Sequence, residues 1–120
     1  MAVSANYRAF ILEQLTRALG DARARERFGG VGLYSGGLYF ALVDNDVLYF
    51  KVDDETLGDF DARGMGPFRP FGDGGASMRY YEVPADVIED HDALRGWAGR
   101  ALLVARRAKS RKPRIAQRGG

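Results

Sequence analysis

The chain has 120 residues, of which 46% are hydrophobic and 28% charged, a length and balance that fit one soluble globular core and exclude an intrinsically disordered chain. It has no cysteine, which excludes disulfide staples and thiolate metal sites, and no run approaching the roughly 18 apolar residues of a membrane-spanning helix. The net charge of +2 hides an asymmetry: seven basic and no acidic residues from Arg106 onward leave −5 on residues 1–105. The opening residues lack a basic and apolar leader, so a cytoplasmic location away from membranes is expected.

In chain order, Tyr7, Phe10, Ile11, Leu15, Ala18 and Leu19 recur at three- and four-residue spacings, which predicts an amphipathic helix from Ser4, its N-cap, to Leu19. Gly20 is its natural stop. From Ala24 to Val52 the pattern changes to short β-rich runs divided by Ser35-Gly36-Gly37 and Asp44-Asn45-Asp46. Both dividers hold residues that accept positive φ, so three antiparallel strands in a meander are expected. Asp53-Asp54-Glu55-Thr56 then opens a short helix to about Ala62, with Leu57 and Phe60 facing the sheet. A hairpin follows, Phe68 to Phe71 and Ser77 to Val83, whose first strand is irregular or at an edge because of Pro67 and Pro70. Asp86 to Glu89 reads as a helical turn. Asp92 is the expected N-cap of a last helix that carries Leu94, Trp97, Ala98, Ala101, Leu102 and Ala105 on one face and stops at Pro113.

That order predicts an α+β two-layer sandwich, α-βββ-α-ββ-α, with an antiparallel sheet covered by helices on one face. The domain is placed at residues 1–108, and residues 109–120 are expected to form a basic, disordered tail. Tyr34, Tyr39, Tyr49, Tyr80 and Tyr81 all fall in strands, and alternation sends several to the second sheet face, as a homodimer interface or a ligand platform.

No residue pattern carries a catalytic reading. The glycines of Phe28-Gly29-Gly30-Val31-Gly32 lead into a strand rather than a helix, which favours a bulge or a close crossing over a phosphate loop. His91 is the single histidine and stands at a helix start between Asp90 and Asp92, without a second metal-ligating cluster. None of Ser4, Ser35, Ser77 and Ser110 has a nucleophile-elbow context. Turn and cap chemistry accounts for the carboxylate groups at Asp44 and Asp46 and at Asp53, Asp54 and Glu55. The expectation is a binding protein, not an enzyme, with no cofactor or metal. Arg106, Arg107, Lys109, Arg111, Lys112 and Arg114 are candidate nucleic-acid contacts through phosphates, although no aromatic residue lies among them to stack on a base.

The run Arg25-Glu26-Arg27-Phe28-Gly29-Gly30-Val31-Gly32-Leu33-Tyr34, followed by Phe40-Ala41-Leu42-Val43, Leu48-Tyr49-Phe50-Lys51-Val52-Asp53, Tyr80-Tyr81-Glu82-Val83-Pro84 and the Trp97 helix, resembles the amino-terminal domain of the TfoX/Sxy family. The likeness spans about Tyr7 to Ala108 and departs at Arg27, where the family often has methionine. It implies the fold above, as a stand-alone domain. It also implies a role in transcriptional regulation of the competence type, with a protein partner in the transcription machinery. No catalytic residue comes with it; Phe28, Gly29, Gly30, Gly32, Tyr34, Lys51 and Asp53 carry over only as a structural or interaction signature.

Overall fold

A computed structural model describes residues 3–27, 29–69 and 79–118, with side chains through Ser110. The first helix, α1 (Ala5–Leu19), starts where the Ser4 hydroxyl accepts the Tyr7 amide at 3.1 Å and ends at Gly20, whose amide donates to the Thr16 carbonyl. Four strands follow: β1 (Arg23–Arg27), β2 (Gly30–Ser35), β3 (Leu38–Asp44) and β4 (Val47–Lys51). After α2 (Leu57–Asp61) come β5 (Tyr80–Glu82), α3 (Ala85–Glu89) and α4 (His91–Arg118). The sheet order is β1-β2-β3-β4-β5, and every pair is antiparallel.

The architecture is the expected α+β sandwich, an antiparallel five-stranded sheet with helices against it. Among the described residues the strands divide four and one rather than the expected three and two. β1 escapes the sequence because Arg-Ala-Arg-Glu-Arg buries almost nothing: as an edge strand it is held by backbone pairing to β2, not by an apolar face. On the far side, Gly66 to Phe68 runs beside β5 through a single bridge at Pro67 and hydrogen bonds between Phe68 and Tyr80 and between Glu82 and Gly66. The turn and second-strand start expected within Pro70 to Met78 lie outside the described residues.

Both predicted tight turns are present, with positive φ at Gly36 and Gly37 and at Asn45 and Asp46, the pairing that matches the twist of two-residue hairpins. Asp46 also accepts the Ser4 amide at 2.8 Å, which ties the start of α1 to the β3–β4 turn. The acidic run before α2 forms a turn instead of a helical first turn: Asp53 accepts the Glu55 and Thr56 amides, and the helix begins only at Leu57. Asp90, not Asp92, caps α4, accepting the Asp92 and Ala93 amides. The helix then passes through Pro113 to Arg118, beyond the expected stop and over the segment read as a tail. Proline removes one amide and crowds the preceding turn, but the arginine, lysine, alanine and glutamine around it favour helix.

One core joins the layers. Ile11 and Leu15 of α1 and Leu94, Ala98, Ala101 and Ala105 of α4 pack on Leu33, Phe40, Val43, Leu48 and Phe50. Trp97 meets Phe60 edge-on at 4.9 Å. Between Leu33 and Tyr34 the β2–β3 register shifts by one residue, so that Phe40 and Ala41 both join the core and Tyr39 is left on the opposite face.

Candidate recognition face of the sheet

The pleat sends alternate residues of each strand away from the helices, and across the sheet they meet in rows. Arg23 pairs with Tyr34 and Tyr34 with Tyr39; Arg25 pairs with Gly32, Gly32 with Leu42, Leu42 with Tyr49, and Tyr49 with Glu82. Lys51 pairs with Tyr80. Tyrosines and basic side chains therefore share one surface, and no described helix packs on it.

Glycine makes the centre of that surface possible. A Cβ on Gly32 would lie 2.9 Å from Cδ of Arg27 and 3.0 Å from the Tyr39 ring, so its absence leaves a trough that both side chains occupy. Arg27 lies along it. Its guanidinium donates to the Tyr34 hydroxyl at 2.6 Å and stands 4.7 Å from the centroid of Tyr39. Tyr34 and Tyr39 stack at 5.1 Å, Tyr39 and Tyr80 follow at 5.9 Å, and the Lys51 ammonium lies 5.0 Å over Tyr80. Farther along the face, Tyr49 packs on Phe68 at 4.9 Å.

The electrostatics favour neutral phenols beside fixed cations. Burial pushes the Tyr80 hydroxyl far above its ordinary value, and the neighbouring Tyr39 adds to the shift. Burial likewise raises Tyr39 and Tyr49, the latter helped by Glu82 and Asp44. The hydrogen bond to Tyr34 holds the charge on Arg27 more firmly still. Glu26 does not cancel the arginines of β1, because it points to the helical side, where its carboxylate reaches Arg8 at 4.0 Å.

The structure brings Gly32, Tyr34 and Lys51 of the sequence signature onto this face, and separates the others. Phe28 lies outside the described residues. Gly29 has φ 83° in the β1–β2 connection, and Gly30 accommodates the backbone, since a Cβ there would sit 2.6 Å from the Val43 carbonyl oxygen. Asp53 belongs to the helical side, where Arg107 of α4 donates to its carboxylate at 2.6 Å. Burial opposes the charge on Asp53, but the Arg107 hydrogen bond and the amides of Thr56 and Glu55 outweigh it and hold the carboxyl below its usual range. Arg107 is thus a structural cation that joins α4 to the end of β4. Arg106 and Lys109 are exposed on α4, whereas the side chains of Arg111, Lys112 and Arg114 lie outside the described part. Of the tyrosines expected on strands, Tyr81 turns to the helical layer and meets Phe60 at 6.1 Å.

Sequence reasoning missed Arg23, Arg25 and Arg27 as a set. Their signal was the two-residue spacing itself, which on a strand puts all three on one face. The remaining chemical candidates are occupied locally: His91 faces Gln14, with 3.5 Å between Nε2 and Oε1, and Asp90 and Asp53 accept backbone amides. Among the described residues no three His, Cys, Asp or Glu side chains gather as metal ligands, and no helix is long and apolar enough to cross a membrane. A shallow recess of about 400 Å³ opens at the end of β1 and β2, lined by Val3, Arg8, Glu26, Arg27, Gly29, Gly30 and Val31.

No curated protein matches the chain. The family model of the TfoX N-terminal domain matches residues 13–105, from the middle of α1 to the buried Ala105 of α4. With that match over most of its length, the chain belongs to the TfoX N-terminal domain family.

Proposed function

We propose that the chain is a non-enzymatic regulatory domain of transcription control, which acts by recognition through the tyrosine and arginine face of its sheet. The family is associated with competence regulation, which fits a regulatory role. The observation that carries the reading is the division of labour between the two sheet faces. One is consumed by the core, and the other carries the half-buried Tyr34, Tyr39 and Tyr49 with exposed arginines at its edge, and tyrosine and arginine are residue types enriched where proteins meet partners. The partner in this reading is a component of the transcription machinery.

Immobilised full-length chain is the direct test, with bacterial lysate treated with nuclease. Wild type captures a transcription component, and an Arg23→Glu/Arg25→Glu variant, altered only on the edge strand, loses it. Capture of no such component by wild type, or equal capture by both, overturns the reading.

A second reading uses α4, whose exposed Arg106 and Lys109 follow the last buried position, Ala105. There the basic segment binds duplex DNA through phosphates, independent of sequence. An Arg106→Glu/Lys109→Glu variant then loses duplex affinity and has a shallower salt dependence; an unchanged slope rejects it.

A further inference from the structure

We infer that the sheet face, besides its protein partner, takes single-stranded nucleic acid, its backbone along β1 and its bases over Tyr34 and Tyr39. The inference rests on the reading of that face as the recognition surface and adds a second ligand to it.

Three features of the sheet face point there together. Arg23, Arg25 and Arg27 are exposed and share one side of an edge strand, repeating about every 6.8 Å at two residues per step. That repeat is of the order of the spacing between phosphates in an extended strand, so a polyanion lying parallel to β1 meets Arg23 and Arg25 at successive steps, with Arg27 turned inboard onto Tyr34 and Tyr39. Arg23 has a carboxylate near it, Asp21 at 3.9 Å, on the strand's approach; Arg25 has no ion pair with any described residue. Immediately inboard of the arginines lie the stacked, half-buried Tyr34 and Tyr39, followed by Tyr80, which is buried under Lys51 and supports Tyr39. A single strand has this same cross-section, charge on one side and flat π-faces on the other, and aromatic side chains stack on any base.

The alternatives match only part of the surface. A duplex keeps its base faces stacked inside and uses the arginines alone. An acidic peptide likewise pairs with the arginines and leaves the tyrosine stack without a counterpart. Burial raises Tyr39 and Tyr80 above the ordinary tyrosine value, so neither of these two phenols puts a negative charge beside an approaching phosphate.

Anisotropy of labelled oligothymidylate and oligouridylate of about 15 nucleotides, a length within the site size of a single sheet module, against the purified full chain is the test. A duplex of equal length and an oligoglutamate peptide serve as comparisons. Single strands bind about tenfold tighter than duplex or peptide, and Arg23→Glu/Arg25→Glu lowers the logarithmic salt slope by about 1.4, two phosphates at the single-strand coefficient. Tyr34→Leu, which keeps bulk and removes the ring, weakens binding about fivefold or more at an unchanged salt slope, as loss of one stacked base requires. Relative affinity for the two oligomers assigns DNA or RNA. Equal binding of duplex and single strand, equal binding of oligoglutamate, an Arg23→Glu/Arg25→Glu slope like wild type, or a loss seen only in Arg106→Glu/Lys109→Glu each overturns it. If oligonucleotides fail while Arg23→Glu/Arg25→Glu still loses its captured protein from nuclease-treated lysate, the ligand class is wrong and the sheet-face reading stands.

Discussion

A Cβ on Gly30 would press on a carbonyl oxygen of β3, whereas one on Gly32 would meet the stem of Arg27 and the edge of Tyr39. The first obstacle is backbone in the middle of a sheet and yields only if β2 and β3 separate. The second consists of side chains with solvent on one side. Gly30→Ala is therefore expected to destabilise the fold by about 1–3 kcal/mol, the range for overpacking a filled interior, and Gly32→Ala by about 1 kcal/mol or less. Urea denaturation measures both. Gly32→Ala should in addition alter the near-ultraviolet circular dichroism of the tyrosines, because it lifts Arg27 and Tyr39 out of their trough while Gly30→Ala at the turn end does not touch them. Equal losses from the two variants would mean that the trough is filled as tightly as the ladder.

Among the elements, the junction of β4, α2 and α4 turns on Asp53, which accepts Arg107 from α4 with one oxygen and two amides of its own turn with the other. Its native carboxyl titrates below the unfolded value, so between those two values the unfolded chain binds more protons and stability rises with pH. The stabilisation is complete above about pH 4, the unfolded aspartate value, and is lost as pH falls through the lower native one. Asp53→Asn keeps an acceptor for the amides but loses the charge. Its urea midpoint should lie below wild type at pH 7, and the gap should close in acid; a gap independent of pH would show that the charge contributes nothing. This junction also marks how far elements can be read from sequence. Periodicity exposed α1, α4 and the apolar strands, and Gly36-Gly37 and Asn45-Asp46 announced their turns, because each of these signals is local. β1 was illegible since its partner supplies the reason for it to be a strand, and Asp53 was legible as a turn or cap residue but not as the partner of a cation 54 residues away. The face that gathers Arg27, Tyr34, Tyr39 and Tyr80 was half visible. Strand tyrosines suggested it, but the register shift that puts Tyr39 beside Tyr34 has no signal in the sequence.

For the whole molecule, each strand pairs with its neighbour in sequence, so the sheet is a simple meander with β1 at one edge and β5, flanked by Gly66 to Phe68, at the other, and the helices close one side of it. The core therefore ends where α4 ceases to touch that layer. Among the described residues Val104 and Ala105 are the last that are buried and Arg107 makes the last ion pair, and the family match ends at residue 105. Lys109 and Ser110 are exposed, and the sequence beyond them is basic. A chain that stops after Ala108 retains every one of these contacts, so its unfolding free energy should stay within about 0.5 kcal/mol of the full chain, as for changes remote from packed features. Stopping after Ala105 removes the Asp53–Arg107 pair and should lower the denaturation midpoint, most clearly above pH 4. The same pair of truncations separates the two charged surfaces. Removing residues 109–120 takes away basic charge that any polyanion can use, which lowers duplex affinity and flattens its salt dependence, while β1 and the tyrosines stay in place. Single-strand preference should consequently increase in the chain ending at Ala108; if the preference disappears with the truncation, the selective surface is the end of α4 and not the sheet.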